Sequence, residues 1–181
     1  MRRALKLHPD SRSSAVRQVE VEVEVAQPRS GGLMLRYVVT GKIAALALPA
    51  VTAPTRTDEL WRHTCFEAFI RPAPGQAYYE LNSSPSTQWA AYRFDGYRSG
   101  MRLAEEIGAP RIEVEKAAEQ FMLQATLQWD KSSELGRVAT WRLGVSAVIE
   151  QADGHKSYWA LAHAAGKPDF HHVDCFALEL Q

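Results

Sequence analysis

Alternation of apolar and polar residues dominates the chain. Val19, Val21, Val23 and Val25 alternate with Glu20, Glu22 and Glu24. That period of two predicts a strand with one buried face and one wet face. Gln27–Gly32 predicts a turn, because proline ends a ladder and glycine supplies positive φ. Leu33–Thr40 is then the returning strand, Ile43–Leu48 a further short strand or its continuation, and Val51–Thr57 a loop. Thr64–Arg71, Ala77–Ser83 and Gln88–Asp95 read as strands, joined by turns at Pro72–Gly75 and Ser84–Ser86. Met101–Ile107 predicts one or two helical turns with Leu103 and Ile107 on one side. Arg111–Glu115 and Gln120–Trp129 read as a strand pair, and Lys131–Gly136 as a loop. Ala139–Glu150 places Trp141, Leu143, Val145, Ala147 and Ile149 on one face, and Asp153-Gly154 links it to Ser157–Ala162 through an expected type I′ turn. Ala164–Phe170 reads as a loop and Cys175–Leu180 as the closing strand.

Short strands separated by turn signals, with no strand–helix alternation, predict an all-β fold. The expected architecture is an antiparallel β-sandwich, jelly-roll or immunoglobulin-like, of about ten or eleven strands with little helix. No repeat, low-complexity tract or linker divides the 181 residues, so a single domain over 1–181 is expected.

Charge narrows the partners. Lys+Arg is 21 and Asp+Glu is 21, a formal balance of zero. Neither nucleic acid nor an acidic membrane surface, both of which select a basic excess, is expected as a partner. No apolar run reaches the ~20 residues of a membrane span, and MRRALKLHPDSR lacks the apolar region of a secretion signal. A cytoplasmic location follows as the expectation, with the two cysteines, Cys65 and Cys175, reduced.

Candidate chemistry concentrates in three segments. In LWRHTCFEAFI (Leu60–Ile70), strand phase points His63, Cys65, Glu67 and Phe69 one way and Thr64, Phe66, Ala68 and Ile70 into a core. In Tyr78–Arg98, Tyr78, Glu80 and Asn82 share a face, followed by Trp89, Tyr92 and Arg98. Carboxylates inside apolar strands are unusual unless paired, here with Arg62, Arg93 or Arg98, or unless they serve a ligand. The third segment, Ser157–Phe176, is a Gly- and Pro-punctuated loop rich in His163, Lys167, Asp169, His171 and His172, which predicts the rim of a site. Trp61, Glu67, Glu80, Asn82, Trp89, His163 and Lys167 are expected to border one groove, with Tyr92 and the remaining loop residues beside it. Convergent polar groups on an aromatic-lined surface suit a small polar ligand such as a saccharide.

Other chemistries lack their signatures. His63 and Cys65, at i and i+2, are placed to co-ligate with Glu67, but no Cys-x-x-Cys or His-Glu-x-x-His appears, so no metal is expected. There is no Gly-x-Ser-x-Gly elbow or glycine-rich phosphate loop. Glu67 and Glu80 could imitate a glycosidase pair, but binding without catalysis is the expectation; a small enzyme using a Glu/His pair and a partner-binding protein are alternatives.

LWRHTCFEAFI, YYELNSSPSTQWAAYRFDGYR and SYWALAHAAGKPDFHHVDCFALEL together resemble a bacterial branch of the DOMON-like superfamily, over about Leu33 to Leu180. The pattern shared with its family 9 carbohydrate-binding modules is a Trp before a glutamate-bearing strand (Trp61, Glu67), then a Tyr-x-x-Asn strand (Tyr79, Asn82). The resemblance implies a sandwich that binds sugar, or haem in the cytochrome relatives, on a concave face or edge. Haem relatives use a methionine with a histidine or lysine, and Met34, Met101 and Met122 offer no clear match. The sugar-binding relatives are secreted and attached to enzymes, features not expected of this chain.

Overall fold

The computed structural model describes residues 1–26, 32–130, 133–137 and 140–180. Among the described residues, twelve antiparallel strands form one curled sheet. In chain order they are β1 (Arg2–Leu7), β2 (Val16–Ala26), β3 (Gly32–Gly41), β4 (Cys65–Pro72), β5 (Tyr78–Ser83), β6 (Trp89–Phe94), β7 (Arg102–Leu103), β8 (Arg111–Lys116), β9 (Gln120–Gln128), β10 (Trp141–Glu150), β11 (Lys156–Ala160) and β12 (Leu178–Leu180). Their lateral order is β7-β6-β5-β4-β10-β11-β1-β2-β3-β9-β8, with β12 also on β10.

β1 makes the sheet continuous. Its first half pairs with β2 (Arg2 to Glu22, Leu5 to Val19), and its last two residues pair with β11 (Lys6 to Ala160, Leu7 to Trp159). The N-terminal segment, which carries no clear alternation, thus joins the two halves.

The halves enclose one core. Val19 and Val21 of β2, Leu33, Leu35, Tyr37 and Val39 of β3, and Phe121, Leu123, Ala125 and Leu127 of β9 share it with Phe66, Ala68 and Ile70 of β4, Tyr79 and Leu81 of β5, and Leu143 to Ile149 in alternation on β10. Phe66 stacks on Phe121 with centroids 5.9 Å apart and tilts against Tyr37 at 4.9 Å. The Tyr37 hydroxyl donates to the Glu67 carbonyl at 2.8 Å. Each buried aliphatic or aromatic side chain contributes roughly 1.5–3 kcal/mol, against about 1 kcal/mol for such a hydrogen bond. Burial therefore holds the halves together, and the Tyr37 bond helps set their registration.

Several local expectations change. Ile43–Ala45 is a 3-10 turn rather than a strand, because Ile43 and Leu46, three apart, both reach the core. Met101–Ile107 is not helical: β7 pairs with β6, leaving Leu103 exposed, and a turn carries Ile107 into the core beside Trp129. Within the expected loop Lys131–Gly136, Glu134–Arg137 forms a short helix (α1) that buries Leu135. The closing strand shrinks to β12, since Val173–Cys175 is a 3-10 turn. The β10–β11 connection is not type I′: the Gly154 amide donates to the Gln151 carbonyl, and Gly154 alone in that turn has a positive φ (+83°), as in a type I turn closed by a left-handed glycine. Most of the expected Gln27–Gly32 turn lies outside the described residues. No described helix is long and apolar enough to cross a membrane.

Removing the Tyr37 hydroxyl tests the cross-core bond. Tyr37→Phe is expected to lower stability by about 1 kcal/mol, read in urea denaturation as a lower midpoint with an unchanged slope.

Candidate functional site

β4 and β5 bury nearly every residue, although alternate side chains point to opposite faces. The face away from the main core is therefore covered as well. A second apolar cluster lies there: Leu60, Cys65, Phe69, Tyr78, Ala90, Tyr92, Phe94, Val148, Ala160, Phe170 and Phe176. Its cover comes from the 3-10 turn Leu60–Arg62 and the loop after β11.

Register sets two carboxyls into this covered face. Glu67 lies between Ser146 of β10 and Asn82 of β5. Glu80 lies between Phe69 of β4 and Tyr92 of β6. Both side chains border a cavity of about 390 Å³, walled by Trp61, Phe94, Tyr158 and Phe170 and rimmed by Arg98, Met101, Pro168 and His171, with Val148 beside Tyr158.

The polar contacts on this floor are few. Ser146 Oγ is 3.5 Å from Glu67 Oε2. Asn82 Nδ2 donates to Glu80 Oε1 at 2.9 Å, and Asn82 Oδ1 is buried with no described donor. His171 Nε2 stands 3.6 Å from Glu80 Oε2. The Arg98 amide donates to Tyr78 Oη at 3.2 Å, and Tyr78 Oη lies 2.7 Å from His171 Nδ1. His171 Nε2 is thus the ring nitrogen that faces Glu80.

Burial governs the protonation states. Desolvation, then the neighbouring Glu80, push the Glu67 carboxyl well above the ordinary carboxylate range, against a weaker opposing pull from Ser146 and Arg98. Desolvation also raises Glu80, opposed by Asn82 and Arg98. Desolvation and the Arg98 charge lower His171 to about 4, so it is neutral at physiological pH. The Cys65 thiol is raised too, by burial and then by both glutamates.

The rim is fastened by charge. Arg98, at φ +51°, reaches Asp169 Oδ1 at 2.8 Å, and the Tyr97 hydroxyl donates to Asp169 Oδ2. Backbone and side chain of Arg98 thus tie the β6–β7 connection to β5 and to the loop after β11.

Of the thirteen residues singled out from sequence, Trp61, Glu67, Glu80, Arg98 and His171 border the cavity. Asn82, Tyr92 and Asp169 stand behind it: Tyr92 packs edge-on to Trp61 at 5.9 Å and donates to Asp58 at 2.7 Å. The other five lie elsewhere. Trp89 sits in the main core under the Arg56 guanidinium, because it is one residue out of phase with Tyr92 and Phe94. His63 is exposed and pairs with Glu150 at 2.7 Å, since the chain ahead of β4 has not yet taken up the strand's alternation. His163 bonds the Lys6 carbonyl at 2.8 Å and packs edge-on against His8, anchoring the loop to β1. Lys167 is exposed at the loop tip. His172 accepts from the Asp174 amide, capping a 3-10 turn, while its neighbour His171 turns inward. Nor do Arg62, Arg93 or Arg98 ion-pair with either glutamate: they engage Glu59, Glu134 with Asp95, and Asp169.

Phe94, Met101, Val148, Tyr158, Pro168 and Phe170 were not singled out. A signal existed for two of them. Val148 and Tyr158 are apolar or aromatic residues on the outward phase of β10 and β11, whose inward phase is already apolar. Large apolar residues on both phases imply a second covered face.

A second concavity, about 400 Å³, lies on the outer face of β1, β2, β3, β8 and β9, with Arg2, Glu20, Glu22, Arg36 and Lys116 at its edges. Arg2 already pairs with Glu20 there. Among the described residues no group of three or more His, Cys, Asp or Glu is arranged to hold a metal ion.

No protein-family model matches the chain. No curated protein matches it either. The chain matches solved structures. One is a Bacteroides uniformis protein proposed to bind carbohydrate: 12% identity, TM-score 0.64, covering 99% of this chain and 84% of that one. Another is a family 9 carbohydrate-binding module from Caldicellulosiruptor kristjanssonii in complex with glucose: 8% identity, TM-score 0.48, covering 87% of this chain and 72% of that one. At 12% identity, the Bacteroides likeness is one of fold.

Proposed function

We propose that this chain is a non-catalytic binding domain, a sandwich of the DOMON-like type acting in the cytoplasm, whose cavity takes a small saccharide or similar polar metabolite. One observation carries the reading: two desolvated carboxyls, Glu67 and Glu80, form the floor of a cavity of about 390 Å³ whose walls are aromatic. Ligand cavities run from about 300 to 1,000 Å³, so this one suits a ligand near the small end. Trp61 and Tyr158 offer faces for the C–H surface of a pyranose ring, while the carboxyls accept from its hydroxyls. A fold carried by a protein proposed to bind carbohydrate supports the same reading.

Haem fits these residues poorly. His171 Nδ1 is engaged by Tyr78 at 2.7 Å and Nε2 faces Glu80 at 3.6 Å, so neither ring nitrogen stands free for iron. Its ring is held edge-on against Phe69, Tyr78 and Phe94. Two floor carboxyls would also repel propionates.

A carboxyl whose pKa is raised by folding holds its proton more tightly in the folded state. Its stabilising contribution is complete below the unfolded value of about 4.3 and is lost as pH rises through the folded value. Glu67→Gln removes that loss, so its stability relative to the parent protein is expected to rise steadily from pH 5 to pH 8 in paired denaturant titrations. A flat difference would place Glu67 in contact with solvent or a cation.

The binding reading is tested by thermal shift against monosaccharides. A sugar at a hundred times its dissociation constant stabilises the fold by about 2.7 kcal/mol. Trp61→Ala is expected to weaken that binding by about tenfold or more, a loss of ~1.4 kcal/mol. Full binding by Trp61→Ala, or no response to any sugar, would remove this site as a saccharide site.

A further inference from the structure

We propose that the cavity is built for an amino sugar, its ammonium group seated between Glu67 and Glu80, with Asn82 behind them. This deepens the saccharide reading and rests on it. The argument is an inventory of donors and acceptors. Glu67 receives one long contact from Ser146, at 3.5 Å. Glu80 receives the Asn82 amide at 2.9 Å and faces a neutral imidazole at 3.6 Å. Asn82, 1% exposed, keeps its Oδ1 without a described donor. Once the two carboxyls are ionised, the floor is rich in acceptors and poor in donors, and a bound cation favours that ionised form.

A neutral hydroxyl would bring one donor together with two lone pairs of its own, whereas an ammonium brings three donors and no acceptor. It also brings the charge the floor lacks. Among the described residues no cation pairs with Glu67, and Glu80's sole partner of that kind, His171, is uncharged at physiological pH. Buried carboxylates are costly when left uncompensated. Arg98 reaches the rim, but its guanidinium is committed to Asp169 at 2.8 Å. The aromatic lining, Trp61, Tyr158 and Phe170 with Phe94, suits a cation better than an anion, since aromatic rings attract positive charge. A carboxylate or phosphate ligand brings no charge that compensates these carboxyls and is repelled by either of them when ionised.

Calorimetric titration at pH 7 with glucosamine, glucose, N-acetylglucosamine and n-butylamine tests the assignment. Glucosamine is expected to bind at least about tenfold more tightly than glucose. N-acetylglucosamine, whose amide cannot take the charge, should bind no better than glucose. Glu67→Gln should abolish the preference for glucosamine over glucose, read as the ratio of the two affinities in the same variant; Glu80→Gln provides the same readout should the first variant fold poorly. Equal binding of glucosamine and glucose would overturn the amine assignment and leave the saccharide site intact. Binding of n-butylamine with no response to any sugar would overturn the saccharide reading and retain the ammonium seat. No heat from any of the four would overturn both.

Discussion

The structure depends on the burial of β4 and β5 on both faces. One face closes the main core against β2, β3 and β9, and the other lies beneath the Leu60–Arg62 turn and the loop after β11. A strand in that position cannot shift its register by one residue without exchanging the contents of two covered layers. It would send Phe66, Ala68 and Ile70 toward the cavity and bring Glu67 into an apolar core. The Tyr37 hydroxyl on the Glu67 carbonyl touches this same strand, so the packing of the core and the placement of the cavity floor share a support.

Double burial also explains the character of the site. Elsewhere on the sheet, glutamates such as Glu22 and Glu24 project into water and need no partner. Glu67 and Glu80 have the same strand phase relative to their neighbours but lie under a roof. Desolvation then dominates their chemistry, raising both pKa values and holding His171 neutral. The roof is held by polar contacts at its edge: Arg98 and Tyr97 on Asp169, Tyr78 on His171, and His163 on the Lys6 carbonyl. Some residues that look like ligand-binding groups in the chain instead fasten the cover. His163 and Asp169 are of this kind.

Strand phase was the readable part. The alternation in Leu60–Ile70 set Glu67 opposite the core residues of its strand, and that in Tyr78–Asn82 put Glu80 and Asn82 on one face of theirs, because side-chain direction within a strand is a local, steric property; the pairing of β4 with β5 brings the two sets together. The same rule, applied to Trp89, would have removed it from the site, since Tyr92 and Phe94 occupy the opposite phase. Ile43–Leu48 shows where local pattern fails: apolar residues three apart satisfy a 3-10 turn as well as a short strand, and packing against the core decides between them. β1 was illegible for a related reason. Its pairing energy comes from two different neighbours, β2 and β11, and its own sequence has little alternation to announce either.

By itself, then, the chain determined an antiparallel β-rich fold and the phase of its central strands, with Glu67 on the outward phase of one and Glu80 and Asn82 together on another. These follow from the period-two geometry of the extended backbone, which acts within a few residues. The tertiary structure decided that the outward face is roofed, which loop residues turn inward, and that Arg98 is spent on Asp169 rather than on the glutamates. Those outcomes depend on contacts between segments some 70 to 100 residues apart, such as Arg98 with Asp169 and Tyr78 with His171. Desolvation is a property of the assembled surroundings, so no local pattern could foretell that the two carboxyls would lie dry and short of donors.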